Sequence, residues 1–187
     1  MLFETIKVEE GKVFNLKWHN LRLNKSRKEL FSSLSTIDLK DFISPPPTGL
    51  YRCKIIYNDE IQSVKYFPYQ AKTFQTLKIV KSQISYKYKD TNRLDFQELL
   101  GEYNEIIIEK DDLLTDTSIA NIAFFDGEKW LTPHTPLLEG TTRARLIEEG
   151  FLKLENIKKE NIKNYSHFAL MNAMIGFRIQ KSVSIQI

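Results

Sequence analysis

Two short runs in the middle of the chain constrain the fold most: Asn104-Glu105-Ile106-Ile107-Ile108-Glu109 and Ala120-Asn121-Ile122-Ala123-Phe124-Phe125. Their apolar residues are consecutive rather than alternate, which suits strands buried at the centre of a sheet. Strand-like and helix-like segments alternate irregularly around them, so the class is α/β to α+β. With 187 residues the chain has room for two small subdomains, and a 42% apolar fraction gives each a core. We expect a small N-terminal α+β subdomain over residues 1–66, a connecting segment at 66–72 and a larger subdomain over 72–187.

In the first part, residues 2–8 and 13–14 read as strands joined by the turn Glu9-Glu10-Gly11. A helix is expected over 16–34, with Leu16, Leu23, Leu30, Phe31 and Leu34 as its apolar stripe. The run Pro45-Pro46-Pro47-Thr48-Gly49 is a stiff connection that no helix crosses. Strand patterns follow at 51–57 and 63–67. In the second part, strands are expected at 73–80 and 167–173. A short helix is expected at 93–100, and another starts at Gly140-Thr141-Thr142 and stops at Gly150.

Charge and composition remove several function classes. The 27 basic residues exceed the 24 acidic ones by only three, spread in alternation, which gives nucleic acid no basic face. Cys53 is the lone cysteine, and His19, His134 and His167 are scattered, so neither an internal disulfide nor a metal cluster is expected. Glu4, Glu9 and Glu10 lie where a signal peptide needs apolar residues, and residues 168–177 fall far short of the roughly 20 a membrane helix needs. These features lead us to expect a soluble, cytoplasmic protein.

Two segments carry chemistry. In Leu138-Glu139-Gly140-Thr141-Thr142-Arg143, a glycine and two hydroxyls stand at a helix start, where unpaired amides and the helix dipole favour an anion such as phosphate; an ordinary N-cap reads the same way. In Leu114-Thr115-Asp116-Thr117-Ser118, Asp116 lies between apolar runs, where a carboxylate needs a cation or donors. A protonated pyridine nitrogen would serve, as would the amides of a local turn.

These segments, in this order, resemble the class IV aminotransferases, the fold-type IV pyridoxal-phosphate enzymes that include branched-chain aminotransferase and aminodeoxychorismate lyase. The resemblance runs from Phe3-Glu4-Thr5-Ile6 through His19-Asn20-Leu21-Arg22-Leu23 and Thr115-Asp116-Thr117-Ser118-Ile119-Ala120-Asn121. It continues through Pro136-Leu137-Leu138-Glu139-Gly140-Thr141-Thr142-Arg143 to Leu170-Met171-Asn172-Ala173-Met174. It implies a two-subdomain fold like that of D-amino acid aminotransferase, pyridoxal 5′-phosphate as cofactor, a small amino-bearing substrate and a homodimer. It also implies a Schiff-base lysine before the strand at Asn104. Lys89 is the better match, because Lys89-x-x-Asn92-Arg93-Leu94 resembles the lyase branch. Lys87 is the other candidate, and strand alternation would put both on one face. The remaining implied roles are Asp116 against the pyridine nitrogen, where larger relatives carry glutamate; Arg22, Thr141 and Thr142 on the phosphate; and Asn172 near it. Arg52 could meet a substrate carboxylate, although an exposed strand arginine fits equally. Most relatives carry a further stretch before Phe3-Glu4-Thr5, so the substrate half is expected to be N-terminally shortened and completed by a partner subunit. Three activities stay open: aminodeoxychorismate lyase, a branched-chain or D-amino acid aminotransferase, and a catalytically impaired subunit.

Overall fold

The computed structural model describes residues 1–186. The chain forms two compact units: Met1–Ala71 with Tyr88–Asn92, and Lys72–Lys87 with Arg93–Ile187. The second unit thus lacks five residues of the 72–187 span expected for it, because Tyr88–Asn92 pack with the first.

In the first unit, β1 (Leu2–Glu9) is followed by β2 (Lys12–Val13), α1 (Leu16–Phe31), a 3-10 turn (Leu39–Phe42), β3 (Leu50–Tyr57) and β4 (Ile61–Pro68). The antiparallel sheet runs β2-β1-β3-β4. Strand β1 alternates strictly, with Leu2, Glu4, Ile6 and Val8 buried. Its core also takes Leu23, Leu39, Cys53, Ile55 and Tyr57.

Helix α1 corrects the sequence expectation. Ser32 takes a left-handed conformation at φ 55° and ends the helix at Phe31, so Leu34 lies beyond it and is fully exposed. Leu30 and Phe31 are exposed too. The buried face is His19, Leu23, Ser26 and Arg27. Those positions follow helical spacing, and their polar groups are built in. Arg27, for example, donates from Nε to the Asp59 carbonyl (2.7 Å) and from Nη1 to Asn24 Oδ1 (2.9 Å) and the Ser35 carbonyl (2.8 Å).

The second unit contains β5 (Thr76–Lys81), α2 (Leu94–Leu100), β6 (Ile106–Lys110), β7 (Leu113–Thr117), β8 (Asn121–Phe125) and β9 (Trp130–Pro133). Then come α3 (Thr141–Glu148), β10 (Leu152–Glu155), β11 (His167–Asn172), β12 (Gly176–Ile179) and β13 (Ser184–Gln186). The sheet order is β10-β9-β8-β7-β6-β5-β13, with β11 pairing β8 and β12. The pairs β5–β6, β9–β10 and β5–β13 are parallel and the rest antiparallel. The two apolar runs are its central strands β6 and β8. Ile106, Ile107 and Ile108 are each 0% exposed, and such side chains contribute about 1.5–3 kcal/mol apiece. Their buried faces meet Tyr86, Phe96 and Leu137 in one cluster and Leu114, Ile122 and Phe124 in another. No helix among the described residues is long and apolar enough to cross a membrane.

Candidate active site

Strand alternation puts Glu4 on the core face of β1, where its carboxylate is 0% exposed. It survives there because two side chains of α1 reach it. Arg22 grips it in a fork, Nε to Oε1 at 2.8 Å and Nη2 to Oε2 at 2.5 Å, and His19 Nδ1 lies 2.6 Å from Oε2. The spacing His19-x-x-Arg22 brings both to one side of the helix. Burial alone would raise the Glu4 carboxyl, but Arg22 and His19 override it and hold it at about 2. Burial lowers His19 from its ordinary value, with the bond to Glu4 offsetting only part of this. The ring is therefore neutral near pH 7, and Nδ1 carries the proton it donates.

Lys89 belongs to the same unit. The stretch that holds it is not a strand: Asp90 makes a single antiparallel bridge with Leu2, so the alternation argument for Lys87 and Lys89 does not apply. Main-chain bonds fix the stretch to β1, from the Phe3 amide to the Lys89 carbonyl and from the Thr91 amide to the Met1 carbonyl, each 2.9 Å. The Lys89 ammonium lies 4.6 Å from the centroid of the Phe3 ring and is half-buried, whereas Lys87 is exposed and falls in the other unit. Arg52 is exposed on β3, its guanidinium 5.3 Å from the Phe67 ring.

In the second unit, Asp116 sits on β7 and not in a turn, and is 5% exposed. Its Oδ1 accepts Asn121 Nδ2 at 2.7 Å and its Oδ2 accepts the Leu138 amide at 2.9 Å. Burial pushes the carboxyl up to about 6, because those donors and the more distant Arg143 only partly repay the lost hydration.

The segment entering α3 runs past this pair. Gly140 is the N-cap, and no side chain caps the helix. Thr141 and Thr142 are buried, and the Thr142 hydroxyl has no hydrogen-bond partner. Arg143 is buried and donates from Nη2 to the Pro133 carbonyl at 2.7 Å. An uncapped helix start, an N-cap without a side chain and a buried hydroxyl without a partner together fit a bound phosphate.

The loop between Asp116 and Asn121 is held from several sides. Glu105, fully buried, accepts the Ser118 amide at 2.9 Å; Arg93 donates from Nη2 to the Ser118 carbonyl; and Thr117 Oγ1 accepts the Ala120 amide at 3.0 Å. Asn172 donates to the Ile119 carbonyl at 3.2 Å, while its oxygen accepts the Met174 and Ile175 amides at 2.9 and 3.0 Å. Its side chain is thus occupied by the turn between β11 and β12. The Ser118 hydroxyl is buried without a partner. Glu4, Glu105 and Asn121 received no role from the sequence. Glu4 could have been found, as the one charge on the apolar side of an alternating strand.

The Amino-transferase class IV family matches residues 42–183. The chain is 37% identical, over 94% of its length and 98% of the relative's, to an uncharacterised protein of Haemophilus influenzae. A crystal structure from Haemophilus somnus 129pt, provisionally assigned as a 4-amino-4-deoxychorismate lyase, is 36% identical with a TM-score of 0.85, covering 94% of this chain and 96% of that one. The pyridoxal-phosphate-bound form of a hypothetical aminotransferase from Mycobacterium tuberculosis shares the fold at 16% identity and a TM-score of 0.77, covering 97% and 80%.

Proposed function

Since the chain belongs to the class IV aminotransferases, whose cofactor is pyridoxal 5′-phosphate, we propose that it is a lyase converting aminodeoxychorismate to 4-aminobenzoate and pyruvate, with Lys89 as the amine that holds the cofactor. When bound, the cofactor supplies an electron sink for the charge left on the substrate carbon when its proton departs. Lys89 would hold the aldehyde end and, once released by substrate, move the proton at that carbon. Its half-buried position against Phe3 suits an amine that must be reachable, and Lys87 is the runner-up.

Asp116 would face the ring nitrogen. A carboxyl that burial lifts to about 6, with Arg143 offsetting only part of the loss, has room for a further cation, and a protonated ring nitrogen is such a cation. Thr141, Thr142 and the amides at the start of α3 would bind the phosphate, with Arg22 as its charged partner. Arg22 is already oriented by Glu4, so it would arrive fixed. The bonds of Asn172 fit the task of holding Ile119.

The observation favouring the lyase is the segment Lys89-x-x-Asn92-Arg93-Leu94, together with 36% identity across 94% of the chain to the provisional lyase of Haemophilus somnus. Arg93, in the second unit, stacks 4.4 Å from the Phe96 ring and donates to the Tyr86 hydroxyl at 3.1 Å. The aminotransferase reading rests on the family match itself, which covers both reactions. Borohydride reduction of the protein loaded with pyridoxal phosphate, followed by peptide mapping, tests the site; the modified residue should be Lys89. A label on Lys87 moves the site and keeps the class, and no label at all sinks the enzyme reading. Release of 4-aminobenzoate, with no conversion of the cofactor to its amino form by amino acids alone, separates lyase from transaminase.

A further inference from the structure

Among the described residues, Asp116 and Asn121 form the register pair of β7 and β8, directly opposite each other. Asn121 Nδ2 donates to Asp116 Oδ1 (2.7 Å) and to the Leu138 carbonyl (2.8 Å), while the Leu138 amide donates to Asp116 Oδ2 (2.9 Å). Carboxylate, carboxamide and the main-chain N–H and C=O of Leu138 thus close a ring of three bonds, with Asp116 and Asn121 both buried. A reversed amide would set its oxygen against the Asp116 oxygen, so the network fixes which end is which. The oxygen of Asn121 points the other way, at Gly140. A Cβ built on Gly140 would stand 1.9 Å from Asn121 Oδ1, although the backbone there, at φ −67° and ψ 143°, suits any residue. What requires glycine at the helix start is this contact and not the backbone.

We propose that Asn121 is a positioning residue that locks the Asp116 carboxylate and the first turn of α3 into one frame, and that Gly140 exists to admit it. Its consequence for cofactor binding rests on the reading of Asp116 and α3 given above; the frame itself does not. The lock makes the acid and the anion-binding helix start a preorganised pair, with the ordering cost met on folding and not on binding.

The test is a double-mutant cycle with Asn121→Ala and Gly140→Ala, read in the cofactor-free protein by chemical unfolding. Gly140→Ala alone should be strongly destabilising. In the Asn121→Ala background, where the oxygen it strikes is gone, the same change should cost little. Should Gly140→Ala fail to fold while the double variant folds, the coupling is shown in its strongest form. If neither folds, Asn121→Ala alone decides, through the NMR titration of the Asp116 carboxyl. Loss of the amide donor should move that titration upward by about one pH unit, a change that a mere packing role would not produce. With cofactor, Asn121→Ala should bind pyridoxal phosphate about tenfold or more weakly. An additive cycle, or an unmoved Asp116 titration, overturns the frame. A native protein that does not bind pyridoxal phosphate sinks the proposed function and leaves the frame standing.

Discussion

Glu4 in the first unit and Asp116 in the second are both buried carboxylates, and they are displaced in opposite directions. Glu4 in the first unit meets a guanidinium and an imidazole and is held at about 2. Asp116 in the second meets an amide side chain and a main-chain N–H and rises to about 6. Burial acts alike on both, so the difference comes from the charge of the partners. A carboxylate with its cation in place is finished structure. One whose hydrogen-bond donors are neutral, with Arg143 offsetting only part of its burial, has capacity left for a cation from outside, which is what a cofactor site needs.

The largest break in this contrast comes from removing the built-in cation. Arg22→Met leaves Glu4 buried against a neutral histidine, and the loss should be about 3–5 kcal/mol in chemical unfolding at pH 7. A loss under about 1 kcal/mol would mean that Glu4 does not depend on Arg22, and the distinction between the two carboxylates would collapse.

Next in size is the pH dependence of stability without cofactor. Glu4 ionises more readily folded than unfolded, so its contribution is present above about 4.5 and lost as the pH falls toward 2. At about 1.4 kcal/mol per pH unit of displacement this is about 3 kcal/mol. Asp116 has the opposite sign. The folded form binds its proton more tightly, so its contribution is complete below about 3.8 and is lost as the pH rises through about 6, again about 3 kcal/mol. Unfolding free energies of the native protein and Asp116→Asn across pH 3 to 8 should therefore diverge between about 4 and 6, the native protein losing stability relative to the variant there. Parallel curves through that window would show that Asp116 is not raised.

The sequence made this contrast only half visible. Runs of consecutive apolar residues identified β6 and β8 correctly, since nothing but burial on both sides explains Ile106-Ile107-Ile108. The motif around Asp116 and the helix start at Gly140 were legible as candidates for the same kind of reason: a charge and a glycine stood where local propensity did not ask for them. Helix α1 departs from its expected apolar stripe because its buried face is largely polar, with His19 and Arg27 satisfied by groups such as Glu4 and Asp59 that only folding brings near. Asn121 escaped because its partners, Asp116 and Leu138, are set by sheet register and a returning loop. The two lysines could not be separated by alternation because their stretch is not a strand. Lys89 is half-buried on a stretch bonded to β1, and Lys87 is exposed.

The smallest expected effect concerns Lys89 and sharpens the comparison most. Its ammonium over the Phe3 ring is half-exposed, so the contact is worth about 0.5–1 kcal/mol. Lys89→Met keeps the aliphatic stem and the ring contact and should cost less than about 1 kcal/mol in unfolding, several times less than Arg22→Met. The same variant should lose the borohydride-fixed cofactor entirely. Arg22 would then be needed for the fold as well as for the phosphate, and Lys89 for chemistry without a matching share in the fold. A stability loss for Lys89→Met as large as that for Arg22→Met would make Lys89 a structural cation, and the amine would have to be sought at Lys87.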